Sequence, residues 1–287
     1  MPGLAGQLNL MPMYDAVYPE IRKHDKDTIV MYEPVTWGLM SNKQLLNTGF
    51  DHPPGHDPTR TALSWHYYCW IIQINSDPLK NGTYPFIDKV FCDSWQLNDY
   101  FNTIQADVAT HLGNGPTFLT EFGICSILVP DQPDPHKFNN DECKYILNST
   151  DAHLQSWTYW DENLYYRDTR EINQDLVNLF SRVYPMATNG IPLSMSYDVD
   201  TRKFSYTFSL NATSLRRAAL DTEIFVPDHV YAPNGFQVIA SKFLTWRFDP
   251  QMHRLYFRLT SNEMQKIQQQ RQHRYKEYEA NILIEPK

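Results

Sequence analysis

The residues of this 287-residue chain best suited to chemistry are a carboxylate, an imidazole, a phenol and an indole, each in a short apolar run. Glu121 lies in "GNGPTFLTEFGIC", behind Phe118 and Leu119 and ahead of Phe122 and Gly123. Such a run after a Gly/Pro turn reads as a strand buried on both faces. An unpaired charge there is costly, so Glu121 is either paired in the interior or stands at the strand's end, facing a cleft. That stretch alone leaves both readings open. "SWHYYC" offers His66 and Tyr68, two positions apart and so on one face of a strand. "SWTYW" offers Trp160. A carboxylate that attacks an anomeric carbon wants hydrogen-bond donors beside it, to keep it ionised and aimed, and an aromatic floor beneath the sugar. His66 and Tyr68 suit the first task and Trp160 the second. Trp157 is the alternative floor, with core packing as its other use.

These residues need elements to hold them. Leu10, Met13, Tyr14, Val17 and Ile21 recur at helical spacing within residues 8–24, and "DTIVMYEP" reads as a buried strand closed by Pro34. A long loop follows over 35–60, where Trp37, Leu39, Met40 and Phe50 could wall an apolar groove or simply pack the loop. "ALSWHYYCW" is a second strand, "SWQLNDYFNTIQADVATHLG" an amphipathic helix ended by Gly113, and "TFLTEFG" a third strand. A short helix near Glu142–Leu147 leads to the strand "LQSWTYW". "DTREINQDLVNLFSRVYP" reads as a closing helix with Ile172, Leu176, Leu179, Phe180 and Val183 inward. Strands alternating with helices predict right-handed βαβ units and a parallel sheet, with Glu33, His66, Tyr68, Glu121 and Trp160 at its carboxyl edge. From about residue 190 the period changes to two: Leu193, Met195, Tyr197 and Val199, then Phe204, Tyr206, Phe208 and Leu210. "TEIFVP", "FQVIAS", "FLTWRF", "RLYFRL" and "NILIEP" add strands of a small antiparallel sandwich. The Gln-rich run from Met264 to Gln272 reads as a solvated insertion.

Composition narrows the partners. A net charge of −8 argues against nucleic acid and anionic membrane surfaces. No segment has the ~18 consecutive apolar residues of a membrane span. No metal signature is present, and His24, His52, His56 and His111 are scattered, so neither metal nor organic cofactor is expected. Cys69, Cys92, Cys125 and Cys143 form no C-x-x-C pair. Their even number and the sequons at Asn81, Asn148 and Asn211 lean toward a secreted or lysosomal protein, although four buried thiols are the alternative. Closeness in sequence predicts local pairs, Cys69–Cys92 and Cys125–Cys143. The N-terminal stretch has neither the basic start nor the apolar run of a signal peptide.

Taken together, "NLMPMYDAVYPEIRKHD", "IVMYEPVTWG", "SWHYYC", "FLTEFG", "SWTYW" and "TEIFVP" resemble the C-terminal portion of the endoglycoceramidases, retaining β-glycosidases of glycoside hydrolase family 5. The resemblance covers most of residues 1–230. It implies the C-terminal half of a (β/α)8 barrel over residues 1–187 and a β-sandwich over 188–287. It also implies hydrolysis of the glucose–ceramide bond of glycosphingolipids, with membrane contact only through the lipid. Carried over, Glu121 falls on the nucleophile, His66 and Tyr68 on the family's His-x-Tyr pair, and Trp160 on the Trp beneath the sugar. The family's acid/base is a Glu in an Asn-Glu-Pro motif, which these 287 residues lack. Tyr32-Glu33-Pro34 is the nearest match, but it falls on the family's fifth strand, so Glu33 is read as a polar or structural residue of the cleft wall. The chain is therefore expected to be a truncated gene model, a fragment or a non-catalytic form, inactive and poorly folded by itself. A β-glucanase of the same family and a non-catalytic carbohydrate- or lipid-binding protein are the competing functions.

Overall fold

Four strands run in parallel: β1 (Val30–Tyr32), β2 (Thr61–Tyr67), β3 (Thr117–Phe122) and β4 (Ser156–Tyr159); β1, expected to be buried, buries only Tyr32 and leaves Met31 exposed. They pair in the order β1-β2-β3-β4, all parallel. The computed structural model describes residues 3–35, 40–41, 44–45, 47–69, 89–129, 131, 133, 137–160, 164–166, 169–210, 218–269 and 278–287. Contacts divide the chain into two units, residues 1–146 with 155–162, and residues 147–154 with 163–287.

In the first unit, β2 is buried along nearly its whole length, as a strand covered on both faces must be. Helix α1 (Met11–His24), preceded by a π-helical stretch Gly6–Leu10, buries Met11 and Tyr18. Its helical period is as expected, but Met13 and Val17 are exposed. Helix α2 (Asn98–Thr110) follows a π-helical stretch Phe91–Leu97 and buries Tyr100, Phe101 and Ile104. Trp65 of β2 meets the Phe101 ring edge-on at 5.0 Å, and Tyr67 meets Tyr100 at 5.6 Å. Burying rings of this size supplies about 1.5–3 kcal/mol each, which anchors α2 to the strand that carries His66. Of the 35–60 loop, Trp37 and Leu39 lie outside the described residues, while Phe50 is buried against Tyr14 and Tyr32.

Helix α3 (Asp141–Ala152) is longer than the short helix expected at 142–147. The expected helix over 168–185 is the larger correction. Only α4 (Gln174–Phe180) is helical. The Asn173 side chain accepts from the Leu176 amide and caps the helix there, which leaves Ile172 before the cap and 63% exposed. At the other end Pro185 restricts Tyr184 to extended backbone, so Val183 reaches the interior from outside the helix.

The second unit contains two four-stranded antiparallel sheets sharing one core. With β5 (Tyr184–Ala187), β6 (Gly190–Asp198), β7 (Lys203–Leu210), β8 (Thr222–Phe225), β9 (Phe236–Ala240), β10 (Leu244–Asp249), β11 (Arg254–Leu259) and β12 (Tyr278–Pro286), the sheet orders are β6-β7-β12-β9 and β10-β11-β8-β5. Phe204, Tyr206 and Phe208 from the first sheet join Ile224, Leu255 and Phe257 from the second in the core. Asp151 Oδ2 accepts from both the Arg182 guanidinium and the Tyr197 amide, which makes a buried ion pair. The Gln-rich run is the other correction. It begins as helix α5 (Ser261–Gln269), with Met264 and Ile267, three apart, packed on the core. Thr260 caps its start, for the Glu263 amide donates to Thr260 Oγ1 in a Thr-x-x-Glu sequence. That start signal is present in the sequence and is masked by the polarity of the run.

Candidate active site

The parallel strands deliver their polar residues to one edge. Glu33 follows β1, His66 is the penultimate residue of β2, Tyr68 follows it, Glu121 is the penultimate residue of β3, and Trp160 follows β4. The strand register decides where Glu121 points. Trp65 pairs with Leu119, but His66 pairs with Glu121, so Thr120 is an extra residue in β3. The β3–β4 register is interrupted over the same two residues. A bulge of this kind re-aims the side chain beyond it. It sets Glu121 level with His66 on the same face, where an unbroken register would set Thr120 there. Thr120 is held by its carbonyl, which accepts from Thr158 Oγ1, and by its own hydroxyl, which donates to the Trp65 carbonyl at 3.4 Å.

Around the Glu121 carboxylate, the Tyr68 hydroxyl donates to Oε1, and His66 Nδ1 lies 3.7 Å from Oε2. The Glu121 side chain is one-quarter exposed, so it is supported by neighbours yet open to a ligand. Among the described residues, the partners named for its carboxylate are this phenol and this imidazole. His66 also touches Glu33, with Nε2 3.3 Å from Oε1. The imidazole therefore stands between the two carboxylates. Sequence reasoning placed Glu33 in the cleft wall and missed this contact, which joins residues 33 positions apart.

Trp160 comes close through its backbone. Its amide donates to the Phe122 carbonyl at 2.8 Å, and its own carbonyl would lie 1.9 Å from a Cβ at position 123. Gly123 alone permits that approach. Trp160 as a whole is 58% exposed. Trp157 instead packs edge-on against Phe122 at 5.6 Å.

Two disulfides flank the site. Cys69, next to Tyr68, is joined to Cys92, and Cys125, four residues past Glu121, is joined to Cys143. Each closes a loop of about twenty residues, which by loop entropy contributes about 3 kcal/mol. Behind them, Glu142 is buried beside Asp93, whose Oδ2 is 2.9 Å from Lys89. Burial first, and then the Asp93 hydrogen bond and charge, push the Glu142 carboxyl up to about 9.

Of the sequons, Asn148 is an exposed residue of α3, while Asn81 and Asn211 lie outside the described residues. Among the described residues no cluster of His, Cys, Asp and Glu could hold a metal ion. His52 lies between Asp15 and Asp51 and stacks on His56 at 4.0 Å. Burial opposes its charged form, but the hydrogen bonds to both carboxylates outweigh it and raise its pKa.

Residues 5–165 match the family described as cellulase (glycosyl hydrolase family 5), more than half of the chain. The chain belongs to glycoside hydrolase family 5. This family's catalytic domain is a (β/α)8 barrel, and residues 182–270 match the glycoside hydrolase family 5 C-terminal domain. Among family 5 relatives, the endoglycoceramidase of Cyanea nozakii is 24% identical over 265 residues, 86% of this chain and 44% of that protein. Endoglycoceramidase I of Rhodococcus hoagii (strain 103S) is 34% identical over 225 residues, 76% of this chain and 39% of that protein. A crystal structure of Cryptococcus neoformans sterylglucosidase 1 superposes with a TM-score of 0.60 at 15% identity, over 96% of this chain and 44% of that one. That likeness speaks to fold alone. This family 5 chain spans less than half the length of the curated relatives it matches.

Proposed function

We propose that this chain carries the nucleophile side of a retaining β-glycosidase site that cleaves the glucose–ceramide bond of glycosphingolipids. The observation that carries the reading is the Glu121 carboxylate at the edge of a parallel sheet, held by Tyr68 on one oxygen and faced by His66 on the other. In this reading Glu121 attacks the anomeric carbon as the bond to the ceramide oxygen breaks, giving a glycosyl-enzyme. Water then adds at the same carbon, Glu121 leaves, and configuration is retained. Tyr68 keeps the carboxylate aimed, and Trp160 lies under the sugar. The four parallel strands are the second half of the barrel, residues 1–187, with the sandwich at 188–287. The acid that protonates the leaving oxygen lies in sequence outside these 287 residues. Glu33 is read instead as a polar residue of the cleft wall, with the His66 ring in contact with both it and Glu121. The substrate assignment is supported by the endoglycoceramidases among the relatives. A secreted or lysosomal location is supported by the two disulfides.

The test uses an activated 2-deoxy-2-fluoroglucoside, whose leaving group departs without a proton and so needs no acid. Mass spectrometry should find the adduct on the peptide carrying Glu121, with none in Glu121→Gln. Glycosphingolipid micelles should slow labelling more than a cello-oligosaccharide does. No adduct, or an adduct elsewhere, would remove Glu121 from the role, and stronger protection by the cello-oligosaccharide would favour a β-glucanase. The absence of Asn-Glu-Pro favours a second reading, a carbohydrate- or lipid-binding protein that keeps the cleft without turnover. Glycolipid binding without any adduct would select it.

A further inference from the structure

Glu33 is held in place from behind. Tyr14, on α1, uses one hydroxyl twice: it accepts from the Glu33 amide at 3.0 Å and donates to the Glu33 carbonyl at 3.2 Å. The Tyr14 ring is itself packed edge-on against Tyr32 and Phe50, both at 6.1 Å. The backbone at the end of β1 is therefore fixed, and the Glu33 carboxylate lies 3.3 Å from His66 Nε2. That distance is near hydrogen-bonding range, whereas the 3.7 Å between His66 Nδ1 and Glu121 Oε2 is not. A neutral imidazole has one N–H to give, and the partner of one ring nitrogen decides where it resides.

We infer that Glu33 is a positioning residue that sets the His66 ring with its proton on Nε2, and so leaves Oε2 of Glu121 as the attacking oxygen. The inference rests on the reading of Glu121 as nucleophile. Tyr68 occupies Oε1. With the His66 proton drawn to Glu33, the ring presents Nδ1 without hydrogen to Oε2. A donor on Oε2 would stabilise its negative charge and blunt its attack. Without Glu33, the proton is free to move to Nδ1 and the ring to turn onto Oε2. The order is then α1 to β1 to β2 to β3: Tyr14 fixes Glu33, Glu33 fixes His66, and His66 leaves one oxygen of Glu121 unburdened.

The experiment has two readouts on the full 287-residue chain: histidine ring 15N spectra, with the His66 signals identified by their loss in His66→Asn, and the rate of trapping by the activated 2-deoxy-2-fluoroglucoside. Wild type should show protonated Nε2 at neutral pH. Glu33→Ala should move His66 to mixed or Nδ1 protonation and slow trapping about tenfold, with the melting temperature and the reagent's dissociation constant little changed. Glu33→Gln keeps an acceptor oxygen, so it should retain protonated Nε2 and most of the trapping rate. An unchanged tautomer in Glu33→Ala, or an unchanged trapping rate in a folded Glu33→Ala, would overturn the inference. If Glu33→Ala does not fold, Glu33→Gln with altered ring signals and slowed trapping would overturn it equally, because the retained acceptor should suffice. A wild-type chain that is never labelled sinks the nucleophile reading, while the ring spectra still pass or fail the assignment of Glu33.

Discussion

The Tyr68 hydroxyl donates to the Glu121 carboxylate, and its role can be tested by removing one atom. Tyr68→Phe keeps the ring and takes away the donor to Oε1. If the hydroxyl aims the carboxylate, its loss should slow trapping at Glu121 about tenfold, the cost of a misplaced reacting group. The reagent's affinity should change little, since the donor acts on the carboxylate. An unchanged rate would show that the hydroxyl does not aim the Glu121 carboxylate. At this scale much of the site was legible. Glu121, His66, Tyr68 and Trp160 each sit at a strand end, and strand ends can be read from apolar runs. The contact between Glu33 and His66 was not, because nothing in either strand's own pattern says which neighbour its last residue will meet.

At the scale of elements, the bulge at Thr120 and the glycine after Phe122 decide whether those residues converge. Gly123 has no Cβ to meet the Trp160 carbonyl, which would lie 1.9 Å away. Gly123→Ala must therefore push the chain after β4 away from β3. The expected outcome is a loss of about 1–3 kcal/mol in stability, as for other overpacked sites, together with a changed Trp160 environment. Denaturant unfolding and Trp160 fluorescence, compared with Trp160→Phe, would measure both; an unaltered melt with unaltered fluorescence would show that the close approach is not needed. The bulge left no mark on the sequence, since a Thr-Glu pair reads equally well in a regular strand. Helix α5 differs, because its Thr cap could have been read from the Thr-x-x-Glu sequence at Thr260 and Glu263.

For the whole molecule, the buried carboxyl pair predicts how stability varies with pH. With both groups ionised, the Glu142 oxygens and Asp93 Oδ1 lack a donor, and a proton held between the two carboxyls joins one Glu142 oxygen to Asp93 in a hydrogen bond. Lys89 pairs with Asp93, which leaves Glu142 as the carboxyl that holds it. Its pKa rises from 4.5 to about 9 on folding. Below pH 4.5 both states are protonated and the group is silent. Above that, the unfolded chain releases the proton while the folded one retains it, so stability falls as pH rises from about 4.5 to about 9. Wild type should melt several degrees higher at pH 5 than at pH 8. Glu142→Gln mimics the protonated group and should flatten that difference by about 4 °C or more. Equal slopes for the two proteins would place the pH dependence elsewhere, with Asp151, also raised by burial, as the next group to test.

The order of the four parallel strands, the change of period near residue 190, and the local pairing of the four cysteines were determined by the sequence, because each depends on neighbours within a few dozen residues. The tertiary structure decided the rest. It ended α4 at an Asn cap and a proline, inserted Thr120 into β3, brought Trp160 against Gly123, and set one imidazole between two carboxylates. Register and side-chain convergence are sums over partners distant in the chain, and a single strand does not carry them.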